Sequence, residues 1–327
     1  MSDTFFTTSP HWGFYVLLYF FVGGIAGGSL FLAGLLHLFG RPDDRPTVRV
    51  GQHVAVVGAA LSALLLTVDL TKPFRFWHML IQSNTGAPMF KAWSPMSVGA
   101  WGLLGFGAVA LLASLGALGE TRPQRWGRFA RLARGVPGAA IAAVGGVLGL
   151  FFAGYTGVLL SVTNRPIWAD STWLGVLFLL SGVSSAAATL LLLERRSRRG
   201  RMNPAPTVAE LTPTAEWLLR LDRRILGLEL VALIVFLWSL GAVARAWIGW
   251  NGLLLVVGVV GAGILVPLLL APSGRRDTAS GESHGLDLRR APTAAGLVVL
   301  GSFLLRLVVL VSSAQIEATG SGIVAGP

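Results

Sequence analysis

The stretch GFYVLLYFFVGGIAGGSLFLAGLLHL, residues 13–38, decides the fold of this chain, because it contains no Asp, Glu, Lys or Arg. A bilayer core roughly 30 Å thick needs about 20 apolar residues in an α-helix that rises about 1.5 Å per residue. The whole chain of 327 residues is 54% hydrophobic and only 13% charged, with a mean hydropathy of +0.69. The sequence therefore predicts an all-α, polytopic membrane protein.

Seven further apolar runs follow, so we predict eight transmembrane helices. A polar stretch with three prolines and an arginine cluster, residues 194–224, separates five of them from three. We interpret this stretch as a cytoplasmic linker between an N-terminal part, residues 1–193, and a C-terminal part, residues 225–327. The predicted spans are residues 13–38, 51–69, 94–118, 137–162, 172–193, 225–246, 251–270 and 293–315.

The formal net charge of +11 comes from Lys and Arg residues whose distribution among the loops indicates membrane topology rather than nucleic-acid binding. The loops after the first, third, fifth and seventh spans carry 3, 5, 8 and 4 Lys or Arg residues, which is 20 of the 26 in the chain. Five more lie on the opposite side, and Arg306 lies within the last span. Because cytoplasmic loops carry the excess of Lys and Arg, both termini are predicted to be extracytoplasmic. The basic loops are suited to contact anionic lipids.

Tyrosine is rare in this chain, and its 3 tyrosines all fall near the outer ends of predicted spans. Tyr19 and Tyr155 lie at similar depth, about 9 and 10 Å below the outer ends of the first and fourth spans. A phenol in hydrocarbon needs a hydrogen-bond partner, and a quinone carbonyl would supply one. An aromatic belt at headgroup level is the alternative interpretation, above all for Tyr15.

Charged and aromatic residues are concentrated in VDLTKPFRFWHML, residues 68–80, between the second and third spans. Asp69 ends the second span, where Lys72 or Arg75 is its expected ion-pair partner. Asp69 is also a candidate proton donor or acceptor for a redox ligand, and His78 is a weaker one. The alternatives are an ion pair that stiffens the loop and a solvated interfacial histidine.

The third span is predicted to begin with a capped first turn. Ser94 is a suitable N-cap, because a serine hydroxyl can accept a hydrogen bond from a backbone N–H of the first turn. Pro95 follows it at the first helical position, where proline is tolerated because the helix has no partner for an N–H there. Gly99 and Gly102 would let a flat ring approach the helix backbone, although close helix packing explains them equally well.

Cofactors held by cysteine are excluded, because the chain has 0 Cys. His37 and His53 lie on consecutive antiparallel spans, but neighbouring helices about 8–10 Å apart leave little room for a haem between them. We therefore expect no haem and no iron–sulfur cluster in this chain.

Charged residues also occur within or near the last three spans, at Glu229, Arg245 and Arg306. Arg306 lies roughly 20 Å into its span and Glu229 about one turn from the cytoplasmic end, so direct pairing is not expected. A helix carbonyl, a lipid or an adjoining subunit is the expected partner of Arg306. Because no ladder of acidic residues and histidines crosses the membrane, the sequence indicates that this subunit alone does not pump protons.

Four pieces of the sequence resemble the NrfD/PsrC-type membrane subunits of polysulfide-reductase-like molybdoenzymes and related quinone-linked respiratory complexes. The second of these pieces is the most specific. They are YVLLYFFVGGIAGG (15–28), DLTKPFRFWHM (69–79), SPMSVGAW (94–101) and YTGVLLS (155–161).

The resemblance implies a subunit of the prokaryotic cytoplasmic membrane. In such proteins a quinone, either menaquinone or ubiquinone, binds near the extracytoplasmic face in a bundle of the earlier helices. It exchanges electrons with an iron–sulfur subunit of the four-cluster type docked there, and beyond it there is commonly a molybdenum or tungsten bis-pterin catalytic subunit. By motif position, the resemblance implies that Tyr19 replaces a polar residue, often His, that contacts the quinone. Tyr15 replaces a nearby polar partner of that residue. Tyr155 matches a tyrosine of the same pocket.

The predicted site therefore combines two groups of residues in the N-terminal part of the protein. The catalytic candidates are Asp69, His78, Tyr19 and Tyr155. The quinone-binding candidates are Tyr15, Tyr19, Tyr155, Trp77, Arg75 and Trp101.

Two other classes of protein remain open at this point. A secondary transporter would also have many spans, but it should show paired halves with broken helices and polar groups near the midplane. A purely structural membrane anchor would keep the spans and use the polar outer rim only to hold its partner.

Overall fold

The computed structural model describes residues 12–163, 165, 167–199, 212–270 and 283–320. These residues form eight long helices, joined by short helical segments and loops, and one isolated β-bridge between Ile81 and Pro88. The long helices are α1 (Phe14–Phe39), α2 (Arg45–Asp69), α3 (Pro95–Thr121), α4 (Gly135–Ser161), α5 (Leu174–Arg199), α6 (Pro213–Ser239), α7 (Trp250–Leu270) and α8 (Ser283–Gly320).

Seven of the described helices, all except α6, are long and apolar enough to cross a membrane. The predicted all-α, multi-pass architecture is therefore confirmed for the described residues. The eighth predicted span, residues 225–246, falls on α6 and the segment Gly241–Trp247, and the α-helix itself ends at Ser239. This span and the extracytoplasmic placement of the termini stay predictions.

Helix α1 lies at the centre of the bundle and packs against α2, α4 and α5. Glycines make this packing possible: a Cβ on Gly27 would lie 2.6 Å from the carbonyl oxygen of Gly149 in α4. A Cβ on Gly28 would lie 2.6 Å from the carbonyl oxygen of Gly182 in α5. The glycines of α1 therefore serve close helix packing, as small residues do in membrane proteins.

The basic side of the bundle is fixed by polar contacts between helix ends. Glu120 of α3 binds Arg49 of α2 at 3.1 Å and Arg134 at 3.5 Å. At the start of α6, Thr214 donates a hydrogen bond of 2.5 Å to Asp44. The last of these contacts ties the start of α6 to the connection between α1 and α2. The predicted linker lies partly outside the described residues, at 200–211, and its boundaries stay predictions.

The opposite side is called the outer side here, because it carries the segment Pro73–Met79 that is predicted to be extracytoplasmic. This segment forms a 3₁₀ helix between α2 and α3. The hydroxyl of Ser94 accepts a hydrogen bond from the backbone N–H of Ser97, which confirms Ser94 as the N-cap of α3. Helix α3 therefore begins where its sequence signal predicts.

Candidate functional site

A cavity of about 780 Å³ lies toward the outer side of the bundle, between α1, α2, α3 and α4 and the segment Pro73–Met79. Most of its wall is apolar and comes from one face of α2 and one face of α3. The residues of these two faces are Val56, Ala59, Ala60, Ala63, Leu66, Thr67, Asp69, Met96, Gly99, Ala100, Leu103, Leu104, Gly107, Ala108 and Leu111. Three of the predicted site residues, Tyr19, Asp69 and Tyr155, also line this cavity.

Tyr19 contributes a buried phenol from α1. The residue is 2% exposed, and its ring packs edge-on against Phe152 with the ring centroids 6.2 Å apart. Among the described residues, none forms a hydrogen bond with the Tyr19 hydroxyl. An unsatisfied hydroxyl in an apolar environment is costly, so a polar group of a bound molecule would stabilise it.

Tyr155 approaches the cavity from α4 across the first turn of α3. Its hydroxyl donates a hydrogen bond of 2.6 Å to the carbonyl oxygen of Pro95. A Cβ on Gly99 would overlap the phenol, so the close approach requires a glycine at this position. Close helix packing therefore accounts for Gly99, since the ring beside it belongs to Tyr155 of the neighbouring helix α4.

Asp69 stands at the outer end of the cavity, at the last residue of α2. Its side chain is exposed, and the structure forms no ion pair between Asp69 and either Lys72 or Arg75. The expected ion pair is therefore absent, because an exposed carboxylate is solvated and needs no cation beside it. The backbone also turns away after α2 through the extended residue Leu70, and both cations are exposed.

Five predicted site residues are described by the structure but do not line the cavity. Tyr15 is 46% exposed at the beginning of α1, one turn beyond Tyr19 and outside the packed part of the bundle. Arg75 is exposed, and Trp77 packs edge-on against His78 with the ring centroids 3.9 Å apart. Other side chains of the segment Pro73–Met79, namely Phe76 and Met79, line the cavity, and so does the next residue, Leu80.

Trp101 is the fifth of these residues, and its position has a geometric reason. Side chains of a helix point back toward its N-terminus, so that of Trp101, near the beginning of α3, reaches the loop before the helix. Its indole N–H donates a hydrogen bond of 3.1 Å to the carbonyl oxygen of Met89. Trp101 therefore holds the loop before α3 in place rather than forming a wall of the site.

The apolar lining is the part of the site that the sequence analysis missed. A signal was present, since Gly99, Leu103 and Gly107 recur every four residues along α3, and Val56, Ala59 and Ala63 have a similar spacing on α2. Such spacing indicates one helix face. It does not show whether that face borders a cavity, a neighbouring helix or lipid.

The cavity opens sideways between α2 and α3 toward the surface that would meet lipid. Leu104 and Leu111 of α3 belong to the lining and are 49% and 48% exposed. Ala60 and Ala63 of α2 also belong to the lining and are exposed. A lipid-soluble molecule could therefore enter from the bilayer without passing through water. Across the described residues, no group of three or more His, Cys, Asp or Glu residues could hold a metal ion.

An apolar cavity with a few polar groups near one end, in a bundle with seven candidate membrane spans, defines a class of multi-pass membrane protein with a pocket of small-molecule size. The protein belongs to the NrfD family of polysulphide reductase subunits, because the family's sequence profile, described as "Polysulphide reductase, NrfD", matches residues 3–318.

Three relatives with curated names support this assignment. The protein is 29% identical to "Protein NrfD" of Escherichia coli (strain K12), over 94% of its own length and 96% of the relative. It is 26% identical to a polysulfide reductase chain of Wolinella succinogenes, over 79% of its own length and 82% of the relative. A shorter match, 25% identical over 81 residues, is to a selenate reductase subunit of Mesobacillus selenatarsenatis. The predicted family is therefore confirmed.

Proposed function

We propose that this protein is the quinone-reactive membrane subunit of a prokaryotic molybdopterin-type oxidoreductase complex. It exchanges electrons between the membrane quinone pool and an extracytoplasmic iron–sulfur subunit. The observation that carries this proposal is the outer cavity, where the free Tyr19 hydroxyl, Tyr155 and Asp69 meet an apolar wall that opens toward lipid.

A quinone ring with an isoprenoid tail fits the chemistry of this cavity. Its volume of about 780 Å³ lies in the range of small-molecule sites, which is roughly 300–1,000 Å³. The apolar faces of α2 and α3 suit the ring and the tail, and the sideways opening leaves a path for the tail into the bilayer. When bound, the quinone would supply the two-electron redox chemistry that the protein's own side chains lack.

The polar residues of the cavity have separate roles in this proposal. Tyr19 donates a hydrogen bond to a ring carbonyl, because its hydroxyl has no other acceptor among the described residues. Tyr155 is held by Pro95 and fixes the position of the ring edge. Asp69, exposed at the outer end, transfers protons between the cavity and the outer solution.

The outer surface beside the cavity suits a docked electron-transfer partner. Exposed aromatic rings and cations lie together in the loop between α2 and α3, where Lys72, Arg75 and Lys91 are exposed. The aromatic residues of this surface are Phe74, Phe76, Trp77, Phe90 and Trp93. Aromatic residues are enriched in protein interfaces, and the positive charge favours a partner with an acidic face. Two of the relatives are named as single components of a reductase, which agrees with a multi-subunit complex.

The variant Tyr19→Phe is expected to lower quinone turnover by about tenfold, the effect of roughly 1–1.5 kcal/mol from one lost hydrogen bond. The measurement is quinol-dependent or quinone-dependent electron transfer by membranes that contain the assembled complex. Tyr15→Phe is the matched control, because Tyr15 lies on the same helix but outside the cavity, and it should behave as wild type.

Equal turnover of the two tyrosine variants would remove Tyr19 from the mechanism. A complex in which no quinone analogue binds at all would favour the purely structural anchor. Substrate flux into liposomes that contain this protein alone would favour the transporter.

A further inference from the structure

A second cavity lies on the basic side of the bundle, and the proposed function uses none of its residues. Its volume is about 270 Å³, and its walls come from the end of α1, the connection between α1 and α2 and the first turns of α6. Phe39, one of the lining residues, is 20 residues or about 30 Å along α1 from Tyr19. The second cavity is therefore separate from the one proposed for quinone.

The second cavity lies at the level where a candidate membrane span ends. Phe39 is the last residue of the span Phe14–Phe39 and is 81% exposed, and Arg41 follows two residues later. On α6, the lining residues Trp217 and Arg220 are three residues apart and so share one face of the helix. Aromatic rings and arginines at the end of a span are typical of the boundary between the hydrocarbon and the headgroups of a bilayer.

Two guanidinium groups from different elements reach the second cavity. Arg41 and Arg220 both line it, and both are exposed. Within the described part of the chain, the Arg41 guanidinium forms no hydrogen bond or ion pair. The Arg220 guanidinium donates to the Glu216 carbonyl at 3.4 Å and lies 3.9 Å from the Glu216 carboxylate, but an exposed ion pair contributes little. Most of the N–H donors of the two arginines are therefore available to a bound molecule.

Asp44 also lines the second cavity, but donors of the protein already bind its carboxylate. One oxygen accepts a hydrogen bond of 2.5 Å from the Thr214 hydroxyl, and the other accepts one of 2.6 Å from the backbone N–H of Arg41. Thr214 is in the first turn of α6, where the helix dipole favours a negative charge. Together with Arg41 and Arg220, Asp44 gives the lining a charge of +1, which a single anion would neutralise.

The inner wall of the second cavity is apolar. It includes Leu36 and Trp217, and Trp217 packs against the buried residues Ala33, Leu36 and Val48. Guanidinium groups match the geometry of a phosphate, and basic pockets between membrane helices bind phospholipid headgroups. A soluble phosphate ester would use the arginines but would leave the exposed Phe39 ring without an apolar partner. A ligand with both a phosphate and hydrocarbon chains fits the whole cavity.

We propose that the second cavity binds the headgroup of an anionic phospholipid from the leaflet on the basic side, with Arg41 and Arg220 on its phosphate. The acyl chains then lie beside Phe39. Arg41 belongs to the N-terminal part of the protein and Arg220 to α6, so the bound lipid joins the two parts beside the hydrogen bond between Thr214 and Asp44. The lipid stabilises the packing of α6 on the first two helices. This site needs no quinone.

Thermal unfolding and native mass spectrometry of the purified, delipidated full-length protein in detergent test this site. Phosphatidylglycerol should bind the wild type and raise its melting temperature. Phosphatidylcholine with the same acyl chains should do neither, because its headgroup has no net charge. Arg41→Gln and Arg220→Gln should each weaken the binding of phosphatidylglycerol by about tenfold, the loss expected from hydrogen bonds to one charged group.

The double variant Arg41→Gln with Arg220→Gln should melt like the wild type in phosphatidylcholine, because both side chains are exposed. It should no longer distinguish the two lipids. The matched control is Arg125→Gln with Arg128→Gln, which removes two exposed arginines from the connection between α3 and α4, on the basic side but outside the cavity. This control carries the same change of charge and should bind phosphatidylglycerol like the wild type.

Equal binding of the two lipids to the wild type would overturn the site, and this comparison decides it even if a variant fails to fold. An equal loss of phosphatidylglycerol binding in the two double variants would also overturn it, since general surface charge would then explain the binding. Glycerol phosphate supplies the phosphate without acyl chains. If it bound as tightly as phosphatidylglycerol, the lipid assignment would be wrong and the cavity would be a site for a soluble phosphate ester.

Discussion

Replacing Gly99 by alanine is expected to reduce quinone turnover by about two orders of magnitude, because a Cβ on Gly99 would overlap the Tyr155 phenol. The ring would have to leave its hydrogen bond with Pro95 and enter the cavity or displace α3. A misplacement of about 1 Å in a site can cost roughly 10²-fold in rate. The measurement is steady-state quinone turnover by the membrane complex, together with the amount of assembled complex.

Gly105→Ala is the matched control for this prediction. Gly105 lies on the same helix, and nothing lies within 4 Å of the Cβ that alanine would add. The control substitution should keep turnover and assembly, since alanine is a better helix former than glycine. If Gly99→Ala and Gly105→Ala gave the same turnover, the Tyr155 ring would have no part in the site.

The largest expected effect on stability is that of Arg306→Met. The change removes the hydrogen bonds by which the buried guanidinium joins α8 to the Phe20 carbonyl of α1 and the Phe178 carbonyl of α5. A buried polar group that loses its hydrogen-bond partner typically costs about 1–3 kcal/mol, and Arg306 binds several such groups. Unfolding in detergent can be followed by intrinsic fluorescence, because the protein has 11 tryptophans.

Arg290→Met is the control for this change, because Arg290 belongs to the same helix and is exposed. It should unfold close to the wild type. An Arg306→Met variant as stable as Arg290→Met would contradict the structural role of the buried guanidinium.

The helices could be predicted from the sequence because hydropathy and helix length depend on local composition. The predicted span 13–38 corresponds to α1 at Phe14–Phe39, and the predicted span 94–118 corresponds to α3 at Pro95–Thr121. The predicted span 225–246 differs, because the helix there ends at Ser239 and the backbone continues in a 3₁₀ segment from Gly241. Gly241 has a φ of 51°, a left-handed conformation that ends a helix.

The site was only partly predictable, because residue depth follows from sequence position whereas helix rotation follows from packing. Equal depth grouped Tyr19 with Tyr155, and both line the cavity. Depth could not show that the Trp101 indole binds the loop before α3 or that Tyr15 lies beyond the packed bundle.

The buried contacts of Arg306 were out of reach of the sequence for a related reason. Arg306 and its partner Phe20 are 286 residues apart in the sequence, and no local pattern links them. The expectation that this subunit alone does not pump protons rested on the absence of a visible ladder of acidic residues and histidines. The buried guanidinium meets the carbonyls of Phe20 and Phe178 only when α1, α5 and α8 come together.

The most direct measurement is photolabelling of the membrane complex with a photoreactive quinone analogue, followed by mapping of the labelled peptides. The proposed function predicts labels within residues 56–69 of α2 and 96–111 of α3. Excess natural quinone should suppress this labelling, and Gly99→Ala should strongly reduce it. Labels confined to other helices, or labelling of these two segments that excess quinone does not suppress, would contradict the assignment of this cavity to quinone.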